Sequence, residues 1–197
     1  KRMNPEWVGE LRTIASKIMR SISGSTLVSI QVVMAKIGIF YGSTTGVCED
    51  VANKIAEQLG DADVYNIAGN EDKLGDYDVL ILGTSTWGFG ELQADWIDSV
   101  DALGSLDLNG KKVAYFGTGD QSSFGDTFID GIALLNDEIE KTGATVVGHT
   151  STDGYDFSES KAVVDSEFLG LAIDEVNQSD LTDERIEAWT TELKKVL

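Results

Sequence analysis

The chain is short of the residues that cross-link, break or titrate a fold: its 197 positions include one cysteine, one proline and one histidine. A single cysteine excludes an internal disulfide and a cysteine-built metal cluster, and it fits a reducing compartment such as the cytoplasm. His149 restricts histidine chemistry to one ring, and with no partner visible in the sequence it reads as structural. Bases are scarce as well. Fifteen Lys and Arg against 34 Asp and Glu leave a formal charge of −19, which argues against nonspecific binding to nucleic acid or anionic lipid and points to basic partners. No apolar run approaches the roughly 18 residues that a membrane span needs, so a soluble protein is expected. Against these shortages stand 21 glycines and 42% apolar residues, enough for many tight turns around one substantial core.

The charge is uneven. Residues 1–33 hold five bases and two acids, a net of +3, while the other 164 residues hold ten bases and 32 acids, a net of −22. Such a shift marks residues 1–33 as an extension and 34–197 as the main domain. Asn4-Pro5 reads as a helix start and Gly24 as its stop. Trp7, Val8, Leu11, Ile14, Ala15, Ile18, Met19 and Ile22 share one face, with Lys17 and Arg20 opposite. Three readings stay open for this basic amphipathic helix: packing on the main domain, a leader, or docking on a protein partner or membrane surface. Charges interrupt any secretory-type apolar core, whereas an organellar transit segment would move the expected location from the cytoplasm to an organelle interior.

From Met34 the pattern alternates between strand and helix. Lys36–Tyr41, Ala62–Ile67, Tyr77–Gly83, Lys112–Gly117 and Thr145–His149 read as strands. Helices are expected over Glu49–Leu59, Leu92–Leu103, Phe128–Thr142 and Thr182–Leu197. Continuous apolar strands between helices predict a mainly parallel sheet covered on both faces. The stretch between His149 and Asp180 is too long for a connector and reads as an excursion within the last β/α unit.

Ligands of such sheets sit beyond the carboxyl ends of the strands, where three loops gather. Gly42-Ser43-Thr44-Thr45-Gly46-Val47-Cys48 runs into a helix, and its hydroxyls and free amides can cradle a phosphate without a cation. It lacks the lysine of a Walker A loop and the three glycines of a dinucleotide fingerprint. Gly83-Thr84-Ser85-Thr86 lacks the aspartate of a phospho-accepting regulator. The second loop, Ser85–Leu92, presents Trp87, and the third, Gly117–Asp126, presents Phe124. A phosphate cradle with two aromatic walls suits a flat phosphorylated ring such as FMN.

The residues from Met34 onward resemble the long-chain branch of the flavodoxin family. The resemblance rests on Phe40–Gly46, Thr86-Trp87 with Gly90–Gln93, Tyr115–Gln121, Ser151–Phe157 and Asn177–Thr182, in that order. It implies a three-layer α/β/α sandwich whose five-stranded parallel sheet has order 2-1-3-4-5, the last strand being interrupted by the long insertion. It also implies a low-potential one-electron carrier that shuttles electrons between redox proteins through the semiquinone and hydroquinone of bound FMN. The related alternatives are a quinone oxidoreductase using FMN, or a flavin domain carrying a partner-binding N-terminal peptide. By resemblance, Ser43, Thr44, Thr45, Gly46, Val47 and Cys48 hold the phosphate. Ser85, Thr86, Trp87, Gly88, Phe89 and Gly90, with Thr118, Gly119, Asp120, Gln121, Phe124, Asp126 and Thr127, surround the ring. Gly88 is the residue whose carbonyl turns toward N5 of the semiquinone.

Two positions depart from the family pattern. Cys48 replaces a hydroxyl residue, at a cost of about 1 kcal/mol in phosphate binding, and Phe124 replaces a tyrosine. Cys48 reads either as an oxidation-prone thiol at a helix N-terminus or as an inert packed one. Glu91, Asp95, Asp98 and Asp126 are the acids expected to steer the basic faces of a flavodoxin reductase-type donor and of an acceptor. Trp96 and Trp189 read as packing residues.

Overall fold

The computed structural model describes residues 35–197; the expected N-terminal helix lies outside the described residues. The first strand, β1 (Ile37–Tyr41), leads into helix α1 (Val47–Leu59), then β2 (Ala62–Asn66) and the long β3 (Val79–Trp87). After β4 (Glu91–Leu92) come two short helices, α2 (Ala94–Ile97) and α3 (Val100–Gly104), then β5 (Lys112–Thr118) and α4 (Gly131–Ile139). Short strands β6 (Thr145–Val146), β7 (Thr150–Ser151), β8 (Val163–Val164), β9 (Glu167–Phe168) and β10 (Leu171–Ile173) precede α5 (Thr182–Leu193).

The main sheet runs β10-β5-β3-β1-β2 with parallel pairing along that path, which is the expected order 2-1-3-4-5. Side chains alternate between its two faces, as the pleat requires. Phe40, Leu80, Leu82 and Tyr115 join Ile132, Leu135 and Ile139 of α4 in one core. Ile39, Ile81 and Phe116 join Val51 and Ile55 of α1 and Ile186 and Trp189 of α5 in the other. Two apolar faces sealed by helices make the three-layer sandwich.

The fifth strand is split. β6 pairs with the beginning of β5 (Lys112↔Thr145, Val113↔Val146), and β10 pairs with its end (Phe116↔Leu171 to Thr118↔Ile173). Between them the chain makes a small antiparallel sheet of order β7-β9-β8. The strand expected over Thr145–His149 stops at Val146, because Gly148 turns the chain at φ +82 while its carbonyl accepts the Trp189 indole N–H at 2.7 Å. Gly170 brings the chain back so close to β5 that a Cβ there would overlap the Tyr115 carbonyl.

Other boundaries shift for local reasons. The helix expected over Leu92–Leu103 is two helices. Leu92 pairs with Thr86 instead, and Ser99 Oγ donates both to Asp95 O (3.0 Å) and to Glu71 Oε1 (2.7 Å) at the break. α4 begins three residues later than expected because Ile129 sits at φ +52, outside the helical region. α1 ends at Gly60, a left-handed residue (φ 90) whose N–H caps Ala56 O at 2.8 Å. The Gly170→Ala variant is expected to lose about 1–3 kcal/mol of stability through backbone overlap, read as a lower midpoint in urea unfolding followed by tryptophan fluorescence.

Candidate functional site

β3 and β5 stay paired as far as Ser85↔Thr118, beyond the last β1 pair at Tyr41↔Gly83. Their carboxyl ends therefore form a floor, with the loop before α1 to one side. A cleft of about 280 Å³ opens there, lined by Thr45, Val47, Ser85, Thr86, Trp87, Gly88, Thr118, Gly119, Asp120, Phe124 and Thr127, all expected from the sequence. Phe128, Ile129, Glu175 and Val176 complete the lining and were not expected.

The two aromatic walls remain accessible, Trp87 at 42% and Phe124 at 57%. Only the edge of the indole is tethered, through Nε1 to Ser85 Oγ at 2.8 Å. Gly88 lies at φ +53 in the β3–β4 turn, which Gly90 N–H closes on Trp87 O at 3.1 Å. Phe89 is 92% exposed and stands outside the cleft.

The loop before α1 ends at a helix N-terminus whose first amides are free of intrahelical bonds. Helical bonding begins with Asp50 N–H to Gly46 O (2.9 Å), so the amides of Val47 and Cys48 carry no intrahelical bond. Ser43 Oγ accepts the Gly46 N–H at 3.1 Å and Thr44 Oγ1 accepts Gln93 Nε2 at 3.1 Å. Each hydroxyl thus meets its neighbours as an acceptor and keeps its proton for a ligand. A Cβ on Gly46, at φ +88, would meet nothing within 4 Å, so the loop's outer side is open space. Neutral donors around a helix N-terminus fit a phosphate, and the aromatic walls fit a flat ring.

Several expected residues work behind the cleft. Gln121 is buried; its N–H donates to Asp174 Oδ2 at 3.1 Å and its Oε1 accepts the Asp156 N–H, so it ties the third loop to the excursion. Asp126 is exposed and lines a neighbouring hollow with Phe89 and Phe124. Asp95, expected among the exposed steering acids, turns inward: its Oδ2 accepts Ser43 N–H at 3.2 Å and Asn66 Nδ2 at 3.0 Å. Trp96 is fully buried and donates from Nε1 to Gly83 O at 2.8 Å.

Asp120 shapes the third loop. Its Oδ1 accepts the Ser123 and Ser122 amides at 2.9 and 3.0 Å and Asn177 Nδ2 at 2.8 Å. The Ser123 amide above all, with the Asn177 side chain, holds its carboxyl pKa down at about 2. Unexpected Glu175 and Val176 follow from the same framework, since buried Asp174 accepts the amides of Val176 and Asn177 at 3.0 and 2.9 Å and bends that segment over the cleft. Their only sequence signal was the neighbouring Asn177–Thr182 stretch.

Cys48 is an inert packed thiol. Its side chain is buried, with Sγ 3.2 Å from Thr118 Oγ1. Burial pushes the thiol up to about 11, outweighing hydrogen bonds to Thr118 and Ser85 that lower it. Of the two readings, burial therefore favours the packed one: desolvation outweighs the helix N-terminus. Because the folded pKa exceeds the unfolded one, the associated stability is complete below about pH 8.5 and is lost as pH rises toward 11. At pH 8 a disulfide reagent should label the native protein about 100-fold or more slowly than the urea-unfolded chain, from the thiolate fractions alone.

Among the described residues no helix is long and apolar enough to cross a membrane. The family model described as Flavodoxin matches residues 39–189. A Nostoc flavodoxin is 49% identical over 162 residues, covering 81% of this chain and 95% of its own. Flavodoxin 1 of Escherichia coli K12 is 47% identical over 168 residues, covering 83% and 96% respectively. The crystal structure of Fusobacterium nucleatum flavodoxin bound to flavin mononucleotide superposes with a TM-score of 0.80 at 38% identity, covering 83% of this chain and 99% of that one. The fold, the family match and these relatives agree: the chain belongs to the flavodoxin family.

Proposed function

We propose that the cleft holds FMN and that the chain carries single electrons between redox proteins. The observation that carries this reading is the pair of accessible rings, Trp87 and Phe124, lining one cleft beside an anion-ready helix N-terminus. The FMN bound in the Fusobacterium relative supports the same assignment. When bound, FMN supplies a ring that takes up and releases electrons one at a time.

In this reading the hydroxyls of Ser43, Thr44 and Thr45, with the amides of Val47 and Cys48, hold the phosphate, and Gly46 keeps the loop open. Ser85, Thr86, Thr118, Gly119 and Thr127 border the ring, while Trp87 and Phe124 cover its faces and exclude water from them. Gly88 has no Cβ to resist rotation of its peptide, so its carbonyl can turn to accept a hydrogen bond at the ring edge. Asp120 keeps a loop-organising role in this reading, its carboxylate being occupied by the Ser122 and Ser123 amides and by Asn177.

The exposed rim supports docking by basic partner faces, such as a flavodoxin reductase-type donor and an acceptor. Glu91, Asp98 and Asp126 are exposed, Glu91 accepting the Phe89 N–H and Asp126 sharing a hollow with Phe89, so long-range attraction guides the approach and an apolar side chain is available on contact. A cytoplasmic setting belongs to the same reading, supported by the single buried thiol. So does the division into a flavin domain, 34–197, and a basic extension, 1–33, that engages a protein partner.

An anaerobic redox titration tests the proposal: the protein reconstituted with FMN should reduce in two one-electron stages, and a chain that cannot take up FMN overturns it. Gly88→Val places a β-branched residue at φ +53, at a strain of about 1–3 kcal/mol. The yield of the one-electron form should fall about tenfold in stepwise reduction; an unchanged yield defeats the peptide-turn role. Removing residues 1–33 should leave the Kd for FMN within about twofold if the extension is a separate partner-binding segment.

A further inference from the structure

Asp130 is 1% exposed, yet it carries a carboxylate directly behind the cleft. It follows Thr127, Phe128 and Ile129 of the lining and lies against the turn that presents Gly88. A Cβ built on Gly90 would sit 2.9 Å from Asp130 Oδ2 and 3.5 Å from Asp130 Cβ, so the carboxylate packs on the Gly90 backbone. Gly90, at φ +99, is the residue whose N–H closes the turn on Trp87 O.

The partners of this carboxylate come from the excursion. Oδ1 accepts the Lys161 N–H at 2.7 Å, and Oδ2 lies 3.6 Å from Lys161 Nζ. Neighbouring bonds hold the same segment in place: Ser160 Oγ donates to Phe128 O at 2.6 Å, and the amides of Ser158 and Glu159 donate to Gly125 O at 3.0 Å. The Lys161 side chain is 66% exposed, so its ammonium is solvated and offsets the buried charge only in part. A negative charge beside a low-dielectric cleft raises the free energy of adding an electron there, and a nearby cation lowers it.

We propose that Asp130 is a positioning residue that buttresses the Gly88–Gly90 turn, and that Lys161 sets how strongly the Asp130 charge opposes reduction of the bound flavin. The excursion thereby tunes the site through a single ion pair. This inference rests on FMN occupying the cleft.

The test is the midpoint potential of FMN-saturated full-length protein, measured by dithionite titration against reference dyes, together with the Kd for oxidised FMN. Asp130→Asn keeps the shape and an oxygen acceptor for the Lys161 amide but removes the charge. It should favour the fully reduced over the one-electron-reduced flavin by about threefold, raising the potential of the second stage by about 28 mV at about 59 mV per tenfold for one electron. Lys161→Gln should shift the potential the opposite way, and Lys161→Glu further in that direction. Lys141→Gln, an equal charge change on an exposed lysine beyond the far end of α4, should leave it in place. A merely structural Asp130 would change stability without this reversal of sign. Equal potentials, or shifts of one sign for Asp130→Asn and Lys161→Gln, overturn the proposal while leaving FMN binding intact. If Asp130→Asn does not fold, a graded lowering across Lys161→Gln and Lys161→Glu supports the proposal, and unchanged potentials in both overturn it. Failure of the unaltered protein to bind FMN overturns both readings.

Discussion

The parallel pairing of β3 with β5 is the contact on which the rest depends. It holds seven residue pairs in register and carries both strands two pairs beyond the end of β1. That overhang puts Ser85 opposite Thr118 and makes a floor for the cleft, while the chain leaving β1 early has room to form the loop before α1. Gly83 makes the pairing compatible with the core, since a Cβ there would overlap the Phe116 ring, and its carbonyl is the acceptor for buried Trp96. The floor and the wall behind the phosphate-type loop therefore share one set of backbone contacts.

Acidity serves the interior as well as the surface. Glycine- and serine-rich loops have amides that no strand or helix satisfies, and buried or half-buried amides need acceptors. Carboxylates supply them: Asp95 for the first loop, Asp120 and Asp174 for the third, and Asp130 for the excursion. Asn177 bridges Asp120 and Asp174 with one side-chain amide, at 2.8 and 2.9 Å. Some of the negative charge is thus spent on organising loops, while Glu91, Asp98 and Asp126 stay exposed. Charge composition alone does not separate these roles, because both need the same side chain.

The three loops that line the cleft were legible because each combines a strand end with residue types of narrow use: hydroxyls with glycine before a helix, and an aromatic within flexible backbone. The interrupted strand was legible from the length of the stretch between His149 and Asp180. The loop-organising bonds of Gln121 and Asp95 were not legible because their partners, Asp174 and Ser43, are 53 and 52 residues away. Phe128 and Ile129 looked like the beginning of a helix, and only the left-handed turn at Ile129 delivers them to the cleft. For Cys48 the local cue, a helix N-terminus, pointed toward reactivity, while enclosure against Thr118 across 70 residues decided the opposite.

The sequence by itself determined the β/α alternation, the two-sided burial of the strands, the loops that meet at their carboxyl ends and the acidic balance, because these depend on short-range patterning and composition. Tertiary structure alone decided which donors remain free, which carboxylates are exposed, how the thiol ionises and where the excursion touches the site. Those properties depend on burial and on partners distant in sequence, such as Ser43 with Asp95 and Cys48 with Thr118, which local patterning does not encode.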